Sequence, residues 1–382
     1  MRVLTTVAVL LAGAASAQPP PALTGALSLL AYGTNPCTGA DDHPAFTAAI
    51  AAAAAAGGGT VVLPAATCLT SATITVPENV RLVGQGKRSQ ITPTASMPAV
   101  IQITGGLSSV ETLALQANGT LAPVGILVAK SDSDVLQTDL IRLSTFGFGK
   151  AVKLVSGHTV TITGGFFLNN AVAFSYEPGT SPITNMVITG GTLVQGGSGI
   201  DLPANITGTI YPHVEGLLVS DLQVVQGVDN AFCLRMAAGV HVVWRGGLCA
   251  EARTGGYGFR LTGTPDPIRS VDIGDVFIGT NPAVKGALAG ISIAGPATAV
   301  KIHDVHLSSW RATPIAIDGG SGTTMPGSTG TAVVSIARPS FDNTTAAQDI
   351  TVAHAAVTVT QPQYDIPTGL GRGAGATVAS WP

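Results

Sequence analysis

The sequence predicts an all-β fold, a parallel β-helix of about ten coils with an N-terminal capping α-helix. Two repeated strand patterns and the composition lead there. The first pattern is Gly199-Ile200-Asp201-Leu202: small, branched apolar, variable, branched apolar. It returns as Gly125-Ile126-Leu127-Val128, Ala151-Val152-Lys153-Leu154 and Ala173-Phe174-Ser175-Tyr176, and later as Ala231-Phe232-Cys233-Leu234, Gly258-Phe259-Arg260-Leu261, Gly290-Ile291-Ser292-Ile293 and Pro314-Ile315-Ala316-Ile317. Steps of 26, 22, 26, 32, 27, 32 and 24 residues separate the first apolar positions. Such a period, carried by short strands, marks a solenoid. Side chains alternate along a strand, so the apolar pair faces inward and the variable residue outward.

The second pattern is Val160-Thr161-Ile162-Thr163, matched by Met186-Val187-Ile188-Thr189, Leu217-Leu218-Val219-Ser220, Val242-Val243-Trp244-Arg245, Val271-Asp272-Ile273-Gly274 and Val300-Lys301-Ile302-His303. Gly, Asp and Asn turns separate the two columns. One coil alone cannot bury its inner face, and each buried Ile, Leu or Val contributes roughly 1.5–3 kcal/mol, so stacking drives folding. With 48 Gly residues and only 10% charged residues, the chain suits short strands and tight turns better than helical surfaces. The repeat runs unbroken through the middle, which favours one elongated domain over residues 32–365. A net charge of −3 leaves no electrostatic footprint for nucleic acid.

Residues 1–17 read as a secretory signal: Arg2, an apolar run over 3–12, and Ala15-Ser16-Ala17 as an A-x-A cleavage site. That run is too short to span a bilayer, and no later apolar run is longer, so no membrane span is expected. The expected location is extracellular or periplasmic. Four cysteines suit it, with three pairings open. Cys37 with Cys68 would staple the N-terminal region, and Cys233 with Cys249 would join two strands of one repeat.

Residues 18–31 read as a linker and 41–57 as the cap. Alanine-rich residues 45–56 predict an amphipathic helix, with Asp41 or Asp42 capping its N-terminus and Pro44 in the first turn. Gly57-Gly58-Gly59 stops the helix, and Thr60-Val61-Val62-Leu63-Pro64 follows as a strand. Together with Tyr32-Gly33 and Cys68-Leu69-Thr70-Ser71, this opening resembles that of the pectate-lyase-like β-helix superfamily, in its branch of rhamnogalacturonase and epimerase-like enzymes and phage tailspikes. The resemblance implies a right-handed helix and a polysaccharide or glycan partner. It leaves Asp41 and Asp42 structural.

Chemistry in this fold belongs on the outer face, where variable positions line up about 4.8 Å apart. That column reads Leu127, Lys153, Ser175, Asp201, Cys233, Arg260, Ser292, Ala316. Asp229, Asn230 and Tyr257 stand just before their strands, and Arg235, Glu251, Arg253 and His213 read as bordering turns. Carboxylates, cations and an aromatic ring together can hold a sugar chain. Asp201, Asp229, Tyr257 and Arg260 are therefore the candidate catalytic residues, with Lys153, Asn230, Arg235, Glu251 and Arg253 binding substrate.

The stretches Gly199-Ile200-Asp201-Leu202, Asp229-Asn230-Ala231-Phe232 and Gly256-Tyr257-Gly258-Phe259 are similar in frame to three motifs of the polygalacturonase family. The family's first carboxylate, the second of its paired aspartates, its histidine and its Arg-x-Lys are missing here. Inverting hydrolysis needs two carboxyl groups roughly 6.5–9.5 Å apart, a requirement Asp201 and Asp229 would have to meet. β-Elimination needs a cation for the substrate carboxylate, from Arg260 or Lys153, and a base, from a second cationic side chain or Tyr257. Tyr211-Pro212-His213-Val214-Glu215 resembles a Pro-His-Glu motif of alginate epimerases, with one residue too many before Glu215. No cofactor is indicated: the carboxylates are few for Ca²⁺, and His303-x-x-His306 has no further zinc ligands nearby. A lyase or hydrolase on an acidic, pectin-like polysaccharide is the leading expectation, and a glycan-binding tailspike or adhesin-like module the alternative. Residues 318–330 read as a Gly/Ser/Thr loop and 366–382 as a Gly-rich tail. Trailing strands leave monomer and homotrimer both open.

Overall fold

The computed structural model describes residues 25–129, 136–177, 183–202, 214–237, 239–263, 268–281, 283, 286–318, 332–342, 346, 348–353, 355–360, 370–372 and 377–381. The expected signal segment, residues 211–213 of the epimerase-like motif and residues 319–330 of the expected loop lie outside them. Every strand pairs in parallel with the strand one coil away, giving sheets of 14, 12 and 11 strands, here A, C and B. The chain runs from A to B to C and repeats. This is the right-handed parallel β-helix that the repeats predict.

Sheet A contains the second sequence pattern in the expected register: Val160 pairs with Met186, then Leu217, Val242, Val271 and Val300 follow in line. Sheet C contains the first, as Ile126, Val152, Phe174 and Ile200. There the structure corrects one coil. Ile200 pairs with Leu234, not Phe232, and Asp201 pairs with Arg235. Cys233 is fully buried and bonded to Cys249, so it belongs to the core and not to the outer column. The sequence frame slipped by two because Ala231 imitates the small first position, which Cys233 in fact occupies.

Sheet B forms a third column that the repeat pattern did not reveal. Its strands, such as Phe166–Leu168, Gln223–Gln226 and His306–Ser308, are only three to five residues long and offer little alternation. Each centres on one inward residue: Phe167, Leu193, Val224, Cys249, Ile278 and Leu307 are buried in successive coils. Within a coil, rings meet across the core between sheets, with Phe167 edge-on to Phe174 and Trp244 edge-on to Phe259 at 4.9 and 5.0 Å. The small first position of the sheet C pattern also has a packing cause. A Cβ on Gly199 would sit 2.3 Å from the Cys233 carbonyl oxygen, and one on Gly258 would sit 2.4 Å from that of Gly290.

The cap helix spans His43–Ala55 and buries Ala45, Phe46, Ala49, Ile50 and Ala53. Its exposed face is largely alanine, so the helix has a buried stripe without being amphipathic in chemistry. Asp42 makes no side-chain cap. Its buried carboxylate accepts N–H groups from Cys37 at 2.6 Å and Leu69 at 2.8 Å, tying the cap to the first coil. Asp41 accepts from His43 and from both the N–H and hydroxyl of Ser71. Burial opposes its ionisation, but these hydrogen bonds outweigh that and hold its carboxyl below the usual range. The Cys37–Cys68 disulfide joins the same parts.

The segment read as a linker is structured from residue 26 on. Strand Ala26–Ser28 pairs with Gly59–Val62, and Leu29 is fully buried. At the other end, strands Leu370–Arg372 and Thr377–Trp381 continue sheets C and A into the expected tail.

Replacing Gly199 with Ala is expected to cost about 1–3 kcal/mol, because the clash is with backbone that cannot rotate away; denaturant unfolding measures it. Tyr176 is fully buried, and its hydroxyl has no hydrogen-bond partner among the described residues. Tyr176→Phe removes that cost and is expected to raise stability by about 1 kcal/mol in the same assay.

Candidate functional site

The outer face of sheet C holds most of the charged groups expected in the site. Its column reads Leu127, Lys153, Ser175, Asp201, Arg235, Arg260, Ser292, Ala316. Arg235 therefore lies on a strand, one coil above Asp201, and not in a bordering turn. Its guanidinium grips the Asp201 carboxylate at both ends, with Nε to Oδ1 at 2.7 Å and Nη2 to Oδ2 at 2.5 Å. Asp201 is 7% exposed, because Arg235 covers it. A carboxylate held this way is neutralised at both oxygens and largely covered by its partner.

One coil below Asp201, Glu177 receives Lys153 at 2.7 Å, together with Lys150 and the hydroxyl of Ser175. Burial favours the neutral acid, but these three donors outweigh it and hold the Glu177 carboxyl at about 2. Sequence reasoning missed Glu177 and Lys150, which stand outside the repeated tetrapeptide. The signal available was their place on two neighbouring strands, Lys150 at the start of the one with Lys153 and Glu177 just past the end of the one with Ser175. One coil above Arg235, Arg260 lies over the ring of Tyr257 at 4.9 Å and has no carboxylate partner among the described residues. Arg235 lies likewise over Phe232 at 4.9 Å.

Asp229 and Asn230 do not share that face. They line a groove of about 740 Å³ that runs along the B-to-C corner past Asn169, Gln195 and Ser198. Asp201 is not part of its lining, so the two candidate carboxylates do not meet in one cleft. Asn169, Gln195 and Asn230 are exposed, with φ of 55°, 53° and 60°. Their neighbour Asn170 is buried and used structurally: its Oδ1 accepts the Phe148 N–H, and its Nδ2 donates to Thr145. Glu251 is exposed at the end of a sheet B strand, and Arg253 is half-buried at the next corner with its Nε unpaired among the described residues. Neither lines the groove. Tyr257 contributes its carbonyl to buried Gln226, which packs against the Cys233–Cys249 disulfide.

His303 and His306 do not converge on a metal. His306 bonds Ser340 Oγ at 2.8 Å, whereas His303 bridges Asp304 at 2.8 Å and Asp272 at 3.1 Å on the outer face of sheet A. Asp275, His303 and Asp304 bring ligand atoms within 4.8 Å of one another. Arg338 already holds both oxygens of Asp304, however, and Arg245 holds Asp272.

No family model matches the chain, and no curated protein matches it in sequence. Solved structures do resemble it in fold. The A-module of a mannuronan C-5 epimerase from Azotobacter vinelandii superposes with a TM-score of 0.66 at 14% identity, covering 93% of this chain and 99% of that one. A surface protein and adhesin of Streptococcus pneumoniae gives 0.58 at 11% identity, over 93% and 98%. The catalytic unit of an alpha-1,3-glucanase from Streptomyces thermodiastaticus gives 0.54 at 15%, over 97% and 71%. Enzymes and an adhesin thus share one scaffold with this chain. No helix among the described residues is long and apolar enough to cross a membrane.

Proposed function

We propose that this protein is an exported β-helix that binds an acidic polysaccharide along the outer face of sheet C. One observation carries the reading: on that face the carboxylates are consumed by ion pairs and a surplus of cations remains. Among the described residues, Lys150 and Lys153 share the carboxylate of Glu177, Arg235 is matched by Asp201, and Arg260 stands on Tyr257 without an acid. Such a face offers charge-assisted hydrogen bonds to uronate carboxylates, and the Tyr257 ring offers a surface for a sugar. Export is supported by the residue 1–17 signal pattern and by the two disulfides, which suit an oxidising compartment.

Inverting hydrolysis fits poorly, because Asp201 is locked and Asp229 lies on another surface. Elimination is the second reading, favoured by the Arg260–Tyr257 contact. It sets a cation able to neutralise a uronate beside a tyrosine that, as its phenolate, would take the C5 proton while the glycosidic oxygen at C4 leaves and is protonated by water.

Purified protein is to be titrated against pectin, rhamnogalacturonan, alginate and bacterial exopolysaccharides, with unsaturated ends and reducing ends assayed in parallel. Binding without product is expected, weakened about tenfold by Arg260→Gln. Unsaturated ends that Tyr257→Phe abolishes would establish the lyase instead. Reducing ends lost in Asp201→Ala or Asp229→Ala would overturn both readings.

A pH dependence also follows. Because folding holds Glu177 at about 2 rather than the ordinary 4.5, its stabilising contribution is fully present above pH 4.5. It is lost as the pH falls from there toward 2. The difference in melting midpoint between wild type and Glu177→Gln is expected to shrink across that window.

A further inference from the structure

The surplus cations on sheet C are not spread evenly, and their spacing bears on which polysaccharide fits. One unit of positive charge sits at the Lys150/Lys153 pair after Glu177 is subtracted, and another sits at Arg260. The register Lys153, Ser175, Asp201, Arg235, Arg260 places four coil steps between them, roughly 19 Å at the strand spacing. The three coils in between contribute no net charge at this column, since Asp201 and Arg235 neutralise each other and Ser175 is uncharged. The groove beside this span carries the amides of Asn169, Gln195 and Asn230 and a single carboxylate, Asp229.

Resting on the reading of this face as a polyanion-binding surface, we propose that it selects an acidic heteropolysaccharide whose uronates stand about four sugars apart. A sugar in an extended chain covers about one coil step when it runs along the helix axis. Two uronates of such a chain meet Lys150/Lys153 and Arg260. The neutral sugars between them lie over the uncharged coils, with their hydroxyls against the amides of the groove, which both donate and accept. A homouronan instead carries a carboxylate at every step. It would set uncompensated charges over the middle coils, against Asp201, which is already paired, and beside Asp229. Discrimination here comes from repulsion and unpaired charge as much as from attraction.

The test compares binding of the purified protein, by calorimetry at one salt concentration, to short fragments of four polymers. They are deacylated gellan, whose linear repeat has a single uronate among neutral sugars, polygalacturonate, alginate and the neutral glucan dextran. Gellan is expected to bind at least about tenfold more tightly than either homouronan at equal uronate concentration. Arg260→Gln and the pair Lys150→Gln, Lys153→Gln are each expected to lower gellan affinity about tenfold, whereas Arg260→Lys keeps most of it. Glu177→Gln, which frees a lysine charge, is expected to raise homouronan affinity and narrow the preference. Thermal melts establish that each variant folds. Equal or tighter binding of the homouronans, still weakened by Arg260→Gln, would overturn the spacing and leave the polyanion reading standing. Failure to bind any of the anionic polymers, or binding of dextran alone, would overturn that reading itself.

Discussion

Everything in this molecule depends on one constraint: each strand is hydrogen-bonded in parallel to its counterpart one coil away. That ladder fixes the spacing between coils at about 4.8 Å, and whatever stands at one position of a coil touches the same position of the next. Inside, the consequence is steric. The first residue of the sheet C pattern has to be small because the next coil's carbonyl occupies the space its side chain would need, as Gly199 and Gly258 show. Outside, the consequence is electrostatic. A charge placed on one coil finds its partner on a neighbouring coil, and so the ion pairs Asp201–Arg235 and Lys153–Glu177 run between strands and not along one.

The ends of the solenoid answer the same constraint differently. The first coil has no coil beneath it, and the helix His43–Ala55 supplies the missing apolar surface with Phe46 and Ile50. Helix propensity alone does not hold it there. Asp42, buried and bonded to N–H groups of Cys37 and Leu69, together with the Cys37–Cys68 disulfide, fastens the cap to the strand it covers. A carboxylate that local sequence assigns to the helix thus serves the junction, because the unpaired N–H groups of the first coil are the costlier ones to leave buried.

The fold was legible because its period is written in buried residues, and buried residues tolerate little variation in size. The sheet A column shows this: all six first positions, from Val160 to Val300, fall into the register read from the sequence. Sheet B escaped notice since a strand with one inward residue, such as Phe167 or Leu307, has no period to detect. The slip at Cys233 is instructive for a different reason. A half-cystine is small and apolar, so it satisfies the packing rule of the first position, while Ala231 two residues earlier satisfies the letter of the pattern. Only pairing with Ile200 decides, and it places Leu234 in the column.

The candidate site was legible in composition and not in arrangement, and that slip shows why. Moving one coil by two residues exchanges Cys233 for Arg235 on the outer face, and with it a bare Asp201 for a neutralised one. A bare aspartate near Asp229 would favour acid–base chemistry; an aspartate gripped at both oxygens favours a surface that presents cations. Glu177 acts in the same direction, since its carboxyl is held at about 2 by the lysines it neutralises. Proton transfer near neutral pH calls for a group poised near that pH, and a carboxyl held so low is a weak base. The acids of this face therefore serve to position cations, and under the proposed function those cations are what a polyanion would meet first.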